Sequence, residues 1–167
     1  SIGAALTPLA RQLGMTCRGL NTDGRYIEGF DHVFASDDRL LFAEGLDYLV
    51  NVLPQTRHTQ GIINTDLLTK LNDGAIVINV GRGDAVNDAE LMAALSSGKL
   101  RYAVLDVFTQ EPLPDNHHFW RQKNLFITSH TAAVTTTDAV VCAFKENFTR
   151  YTEGKPLNHT VSAKRGY

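Results

Sequence analysis

Three side chains of this 167-residue chain have the types and settings of reacting groups. Arg82 stands between Gly81 and Gly83, directly after the apolar run at 75–80. Glycines there let the main chain turn sharply and leave a guanidinium free to reach out. A guanidinium grips a carboxylate with two parallel hydrogen bonds, a geometry lysine does not match. His130 follows a short apolar run and precedes Thr131-Ala132-Ala133. An imidazole titrating near neutrality suits proton donation. Glu111, on the loop after the preceding run, is the carboxylate best placed to orient that imidazole and favour its charge. Singly, each has a plainer reading: a turn arginine, a hydrogen-bonded loop histidine, a solvated acid. Together they weigh more, because neighbouring strands bring separate loops to one edge.

Other chemical residues offer less. His117 and His118 have no Cys or acidic partner at metal-ligand spacing, so no metal site is expected and a polar loop is the better reading. His32, His58 and His159 are isolated. Cys17 reads as packing. Gly3, just before an Ala- and Leu-rich stretch, fits the last glycine of a dinucleotide fingerprint, where helix and strand pack closely.

The elements that would carry these groups alternate. Leu6, Leu9 and Leu13 at helical spacing predict an amphipathic helix over 2–13, closed by Gly14. Strands are predicted at 15–20, 47–53, 75–80, 102–107 and 125–128, with a weak one at 32–35. Between them fall a short helix at 40–43 capped by Asp37 or Asp38, a helix capped by Asn64, and a helix capped by Asn87 or Asp88. A long helix is predicted at 136–151, followed by a polar tail. This rhythm predicts an α/β fold: a doubly wound parallel sheet, its strands buried on both faces. In such a sheet, ligands bind beyond the carboxyl ends of the strands, where Arg82, Asp106 and His130 stand.

Composition narrows the classes. The chain is 43% hydrophobic with a net charge of -2, which argues against disorder. Its near charge balance argues against a nucleic-acid partner. No run is long and apolar enough to span a bilayer, so no membrane partner is expected. Two cysteines and no export signal favour the cytoplasm.

At this point the motifs match a known family. Asn51-Val52-Leu53-Pro54-Gln55-Thr56 with Gly61-Ile62-Ile63-Asn64, then Ile78-Asn79-Val80-Gly81-Arg82-Gly83, then Leu105-Asp106-Val107-Phe108-Thr109-Gln110-Glu111-Pro112, and finally Thr128-Ser129-His130-Thr131-Ala132-Ala133 carry the likeness. The chain resembles the NAD(P)-binding domain of the D-isomer-specific 2-hydroxyacid dehydrogenases. With Arg165-Gly166-Tyr167 it is most similar to the glyoxylate/hydroxypyruvate reductase branch. The resemblance implies a Rossmann-like domain and hydride transfer from NAD(P)H to a small 2-keto acid such as glyoxylate or hydroxypyruvate. It implies Arg82 as the substrate carboxylate ligand, His130 as acid/base and Glu111 as its paired acid. Around the cofactor it implies Ile2, Gly3, Asn21, Arg25, Leu53, Pro54, Val80, Gly81, Asp106, His130 and Ala132. It also implies a homodimer of the full-length protein.

Two departures bear on these expectations. Ser129 precedes the histidine where the family usually has proline. Asn21 stands where NAD-using relatives place an acid that repels a 2'-phosphate; with Arg18 and Arg25 nearby, NADP is favoured over NAD. The pattern also predicts that residues 1–167 are a truncated dinucleotide-binding domain without its first strand and separate substrate domain, inactive alone. Residues from about 152 to 167 are expected to pack on that domain. The competing reading is a dehydrogenase-like module that senses nucleotide without turnover; a methyltransferase-type domain leaves Arg82, Glu111 and His130 without a joint role.

Overall fold

The computed structural model describes residues 2–162. Ser1 and the closing Arg165-Gly166-Tyr167 lie outside the described residues. The chain forms two compact units, Ser1–Ser129 and His130–Tyr167.

The first unit runs α1 (Ile2–Gln12), β1 (Arg18–Asn21), β2 (His32–Ala35), α2 (Arg39–Ala43), β3 (Tyr48–Asn51), α3 (Thr65–Leu68), β4 (Ala75–Asn79), α4 (Asp88–Ser96), β5 (Leu100–Leu105) and β6 (Leu125–Ile127). Short 3-10 turns at Ser36–Asp38, Gly83–Ala85 and His118–Arg121 complete it. Strands β3, β4, β5 and β6 form a parallel sheet in chain order, and β1 pairs in parallel with β2 as a separate two-stranded sheet. Parallel strands with helical crossovers make this the expected Rossmann-like α/β fold.

Asn64 and Asn87 start α3 and α4 by accepting hydrogen bonds from the Leu67 and Glu90 amides at 3.2 and 3.3 Å. Asp88 therefore sits in the first turn of α4 and is not its cap. Neither Asp37 nor Asp38 caps α2 through its side chain. The chain enters α2 from a 3-10 turn, so both carboxylates fall inside helical geometry. Leu67, Leu68 and Leu71 pack with Leu91 and Leu95 of α4, Val77 of β4, Leu100 and Leu105 of β5, and Phe119. Each fully buried side chain of this kind contributes about 1.5–3 kcal/mol.

Two packing expectations are corrected. The strands are not buried evenly on both faces. Leu49 and Asn51 are buried in β3, while the alternating Tyr48 and Val50 are exposed, and Phe126 on β6 is exposed. The leucines of this stripe are also open: Leu9 in α1 is 63% and Leu13, just past its end, 68% exposed, whereas Thr7 is 3% exposed. The packed face is the one with small groups. Gly3 lies over the Phe30 ring and Val52, and Gly29, at φ 96°, leaves no room for a Cβ beside the Thr7 hydroxyl.

The second unit holds α5 (Thr137–Thr152), capped by Thr136, whose Oγ1 accepts the Ala139 amide at 3.3 Å. The segment after α5 folds back on it. Asn147 Oδ1 accepts the Asn158 amide at 2.7 Å, and Arg150 Nε donates to the Pro156 carbonyl at 2.6 Å. Among the described residues, no helix is long and apolar enough to cross a membrane.

Candidate active site

The carboxyl ends of β3 and β4 close on asparagines. Asn51 is 5% exposed and Asn79 is 0% exposed, so both amides must find partners inside the protein. Asn51 Nδ2 donates to Asn79 Oδ1 at 2.8 Å, and Asn51 Oδ1 accepts the Leu53 amide at 3.2 Å. Asn79 Oδ1 also accepts the Gly81 amide at 3.1 Å, and its Nδ2 donates to the Arg82 carbonyl at 3.0 Å. The backbone ladder continues across the same line: Asp106 N–H donates to Asn79 O, and Thr128 N–H to Leu105 O, each at 3.0 Å. The loops after β3 and β4 are thus tied together by side-chain amides at the sheet edge where function was expected.

Arg82 is exposed between two buried glycines. A Cβ at Gly81 would lie 2.8 Å from the Leu53 carbonyl oxygen, and one at Gly83 would overlap the main chain of Phe108 and Thr109. The arginine turn is therefore pressed against both the Leu53-Pro54 loop and the loop that leads to Glu111. Arg82 Nη1 donates to the Gly81 carbonyl at 2.7 Å. Glu111 is exposed, and its Oε1 accepts the Phe108 amide at 2.8 Å. The first unit thus brings the Arg82 turn beside the segment bearing Glu111.

Asp106, expected at the nicotinamide end, is 2% exposed. Its Oδ1 accepts a hydrogen bond from the Thr128 hydroxyl, fixing the end of β5 to the end of β6. Leu53 and Val80 are half-buried and Pro54 is exposed at the same edge. Asn21 accepts from the Gly24 and Asp23 amides at 2.6 and 3.2 Å and donates to the Arg25 carbonyl at 2.9 Å. Its side chain organises the loop after β1. Arg25 is exposed, with its Nε 3.9 Å from Asp23 Oδ1. Arg18 does not join it: Nη1 donates to the Glu44 carbonyl at 2.7 Å, at the end of α2. At Gly3 a methyl would meet the Phe30 ring at 3.6 Å, an ordinary contact, so this position does not demand glycine by space. Ile2 is exposed at the start of α1.

His130 opens the second unit, exposed, with φ 56°. Histidine, with asparagine and aspartate, takes the left-handed region more readily than other side chains. Ala132 is exposed two residues on.

A cavity of about 230 Å3 lies behind the Arg82 turn, between Gly83, Asp88, Val107, Phe108, His117 and Phe119. His117 Nδ1 accepts the Phe119 amide at 3.3 Å, while its Nε2 stands 3.7 Å from Asp88 Oδ2. Burial pushes the Asp88 carboxyl above its ordinary range, against the pull of His117 and His118. Among the described residues, no group of three His, Cys, Asp or Glu side chains is placed to hold a metal ion. The two asparagines were missed in the sequence. Their signal was an amide at the last position of an apolar strand, twice, at neighbouring strand ends.

The fold and edge define a dinucleotide-binding α/β domain of the dehydrogenase type. A family profile described as "D-isomer specific 2-hydroxyacid dehydrogenase, NAD binding domain" matches residues 1–132. The chain belongs to this family. It is 37% identical over 166 residues to glyoxylate/hydroxypyruvate reductase A of Salmonella heidelberg (strain SL476), covering 99% of this chain and 53% of that protein. The chain thus spans about half the length of the curated relatives it matches. Among solved structures it is similar to the NADPH-dependent glyoxylate/hydroxypyruvate reductase of Sinorhizobium meliloti in complex with NADP and sulfate. The TM-score is 0.91 at 32% identity, over 99% of this chain and 54% of that one. It is also similar to a D-isomer specific 2-hydroxyacid dehydrogenase of Xanthobacter autotrophicus Py2 in complex with NADPH and MES. Here the TM-score is 0.89 at 36% identity, over 98% of this chain and 67% of that one.

Proposed function

We propose that the full-length protein reduces a small 2-keto acid, such as glyoxylate or hydroxypyruvate, to the 2-hydroxy acid with NADPH. The observation that carries this reading is the exposed Arg82, held between two buried glycines beside the Glu111 loop. The curated relatives named for this reaction and the NADP-bound neighbours support it.

The residues at the strand ends fit a dinucleotide. Leu53, Pro54 and Val80 offer apolar and backbone atoms, and Gly81 lets the turn after β4 close against the Leu53 main chain at that edge. When bound, the nicotinamide supplies a hydride. Arg82 holds the substrate carboxylate with paired hydrogen bonds and stabilises negative charge growing on the keto oxygen. His130 gives its proton to that oxygen, so hydride at carbon and proton at oxygen together make the hydroxy acid. Glu111 is the acid that the family resemblance pairs with this histidine. Asp106 would contact the nicotinamide end of the cofactor. Asn21 in place of an acid, with Arg25 beside it, favours a 2'-phosphate, and the loss of Arg18 to the Glu44 carbonyl leaves Arg25 as the cation of that pair.

The test is NADPH and NADH oxidation by the full-length protein with glyoxylate and hydroxypyruvate. Turnover with preference for NADPH supports the reading. Tight nucleotide binding without turnover of any 2-keto acid would favour the sensing module instead.

A further inference from the structure

We propose that Asn79, braced by Asn51, is the positioning residue that sets where Arg82 presents its guanidinium; this rests on the role given to Arg82 above. Two of the amide's three hydrogen bonds go to the turn and the third to Asn51. Its oxygen takes two donors, Asn51 Nδ2 at 2.8 Å and the Gly81 amide at 3.1 Å, and its nitrogen gives to the Arg82 carbonyl at 3.0 Å. Asn51 in turn holds the Leu53 amide through Oδ1. One buried pair therefore clamps the loop of the cofactor edge and the turn of the substrate arginine in fixed register.

The bonding has a polarity that only an amide supplies. Side-chain oxygen must face the donors of Asn51 and Gly81, and side-chain nitrogen must face an acceptor, the Arg82 carbonyl. At 0% exposure water cannot substitute for either. A serine or leucine at 79 would leave the Arg82 carbonyl and the Gly81 amide without these partners. An arginine displaced by an ångström loses much of its grip on a reacting carboxylate.

Asn79→Asp isolates one bond. It keeps an oxygen toward Asn51 and Gly81 and sets a second oxygen against the Arg82 carbonyl. When ionised, the introduced carboxyl repels that carbonyl; when protonated, it donates to it and restores the bond. In the full-length protein, N79D is expected to raise KM for the keto acid about tenfold or more, as loss of a buried hydrogen bond implies. The NADPH Kd should stay within about twofold, and the KM defect should shrink on acidification relative to wild type. The carbon-13 shift of the Arg82 carbonyl should differ from wild type and move as the introduced carboxyl titrates.

A folded N79D variant with unchanged KM and unchanged Arg82 carbonyl shift overturns the proposal. Equal rises in KM and in NADPH Kd also overturn it, since they mean a general loosening of the edge. If N79D does not fold, Asn51→Asp decides through KM and the NADPH Kd, because it keeps the Leu53 bond and breaks only the one that braces Asn79. Failure of both to fold assigns the amides to the core and overturns the proposal. Absence of turnover in wild type sinks the reductase reading alone; the Arg82 carbonyl shift still decides the positioning.

Discussion

Gly83 lies so close to the main chain of Phe108 that a Cβ would overlap the Phe108 carbonyl. This contact joins the turn of Arg82 to the loop of Glu111, whose carboxylate holds the Phe108 amide. The glycine is needed because main chain meets main chain, with no flexible side chain to yield. Gly83→Ala should therefore destabilise the protein by about 1–3 kcal/mol, in the range for overpacking. It should also weaken keto-acid binding. Urea unfolding and KM measure both, and a variant as stable and active as wild type would contradict the account.

Arg82→Lys keeps the charge and discards the paired hydrogen bonds. Losing one charge-assisted bond of about 1.5–3 kcal/mol should lower kcat/KM by roughly 10- to 100-fold. The guanidinium is exposed and forms no part of the core, so the melting temperature should not move. Steady-state kinetics with glyoxylate read the first effect, and a thermal melt the second.

Asp31 ties α1 to the start of β1. Its carboxylate accepts the Cys17 amide at 2.7 Å and pairs with Arg11, and these partners hold it below its ordinary range. A depressed folded-state value means stability that is present above about pH 4 and lost as pH falls through the lower, folded value. Asp31→Asn should therefore melt below wild type at neutral pH, with the gap closing in acid. A gap independent of pH would refute this role.

Asp88 should behave with the opposite sign. Burial raises its carboxyl, so the folded state favours the protonated form. That contribution is fully present below the ordinary carboxylate value and is lost as pH rises through the raised one. The stability of Asp88→Asn relative to wild type should accordingly increase from acid toward neutral pH. Melts of both proteins across that range test it; a difference that shrinks with rising pH would exclude it.

Much of this architecture was legible in local pattern. The apolar run at 75–80, followed by Gly81-Arg82-Gly83, marked a strand and the turn after it, and the structure places the strand at Ala75–Asn79 and the turn directly beyond. Asn64, and Asn87 or Asp88, marked helix starts for the same local reason, a side-chain acceptor before an apolar repeat, and the structure settles the second on Asn87. What failed was long-range. The leucines of α1 follow a sound helical stripe, yet the packed face is Gly3 and Thr7, with Thr7 buried against Gly29, where a Cβ has no room. Arg18 could be read as a phosphate ligand only until its carbonyl partner on Glu44 was seen. The Asn51–Asn79 pair spans two strands, so neither residue alone announced it. The left-handed φ of His130 likewise has no mark in composition or spacing.

Hydride transfer itself gives the most direct test of the central claim. The full-length protein would be incubated with NADPH carrying deuterium in turn at each of the two C4 positions of the nicotinamide, together with glyoxylate or hydroxypyruvate, and the product read by mass spectrometry and proton NMR. The account predicts that one labelled face delivers its deuterium to C2 of the hydroxy acid, and that Arg82→Lys slows this transfer. Cofactor bound without any deuterium reaching C2, from either face, would contradict it.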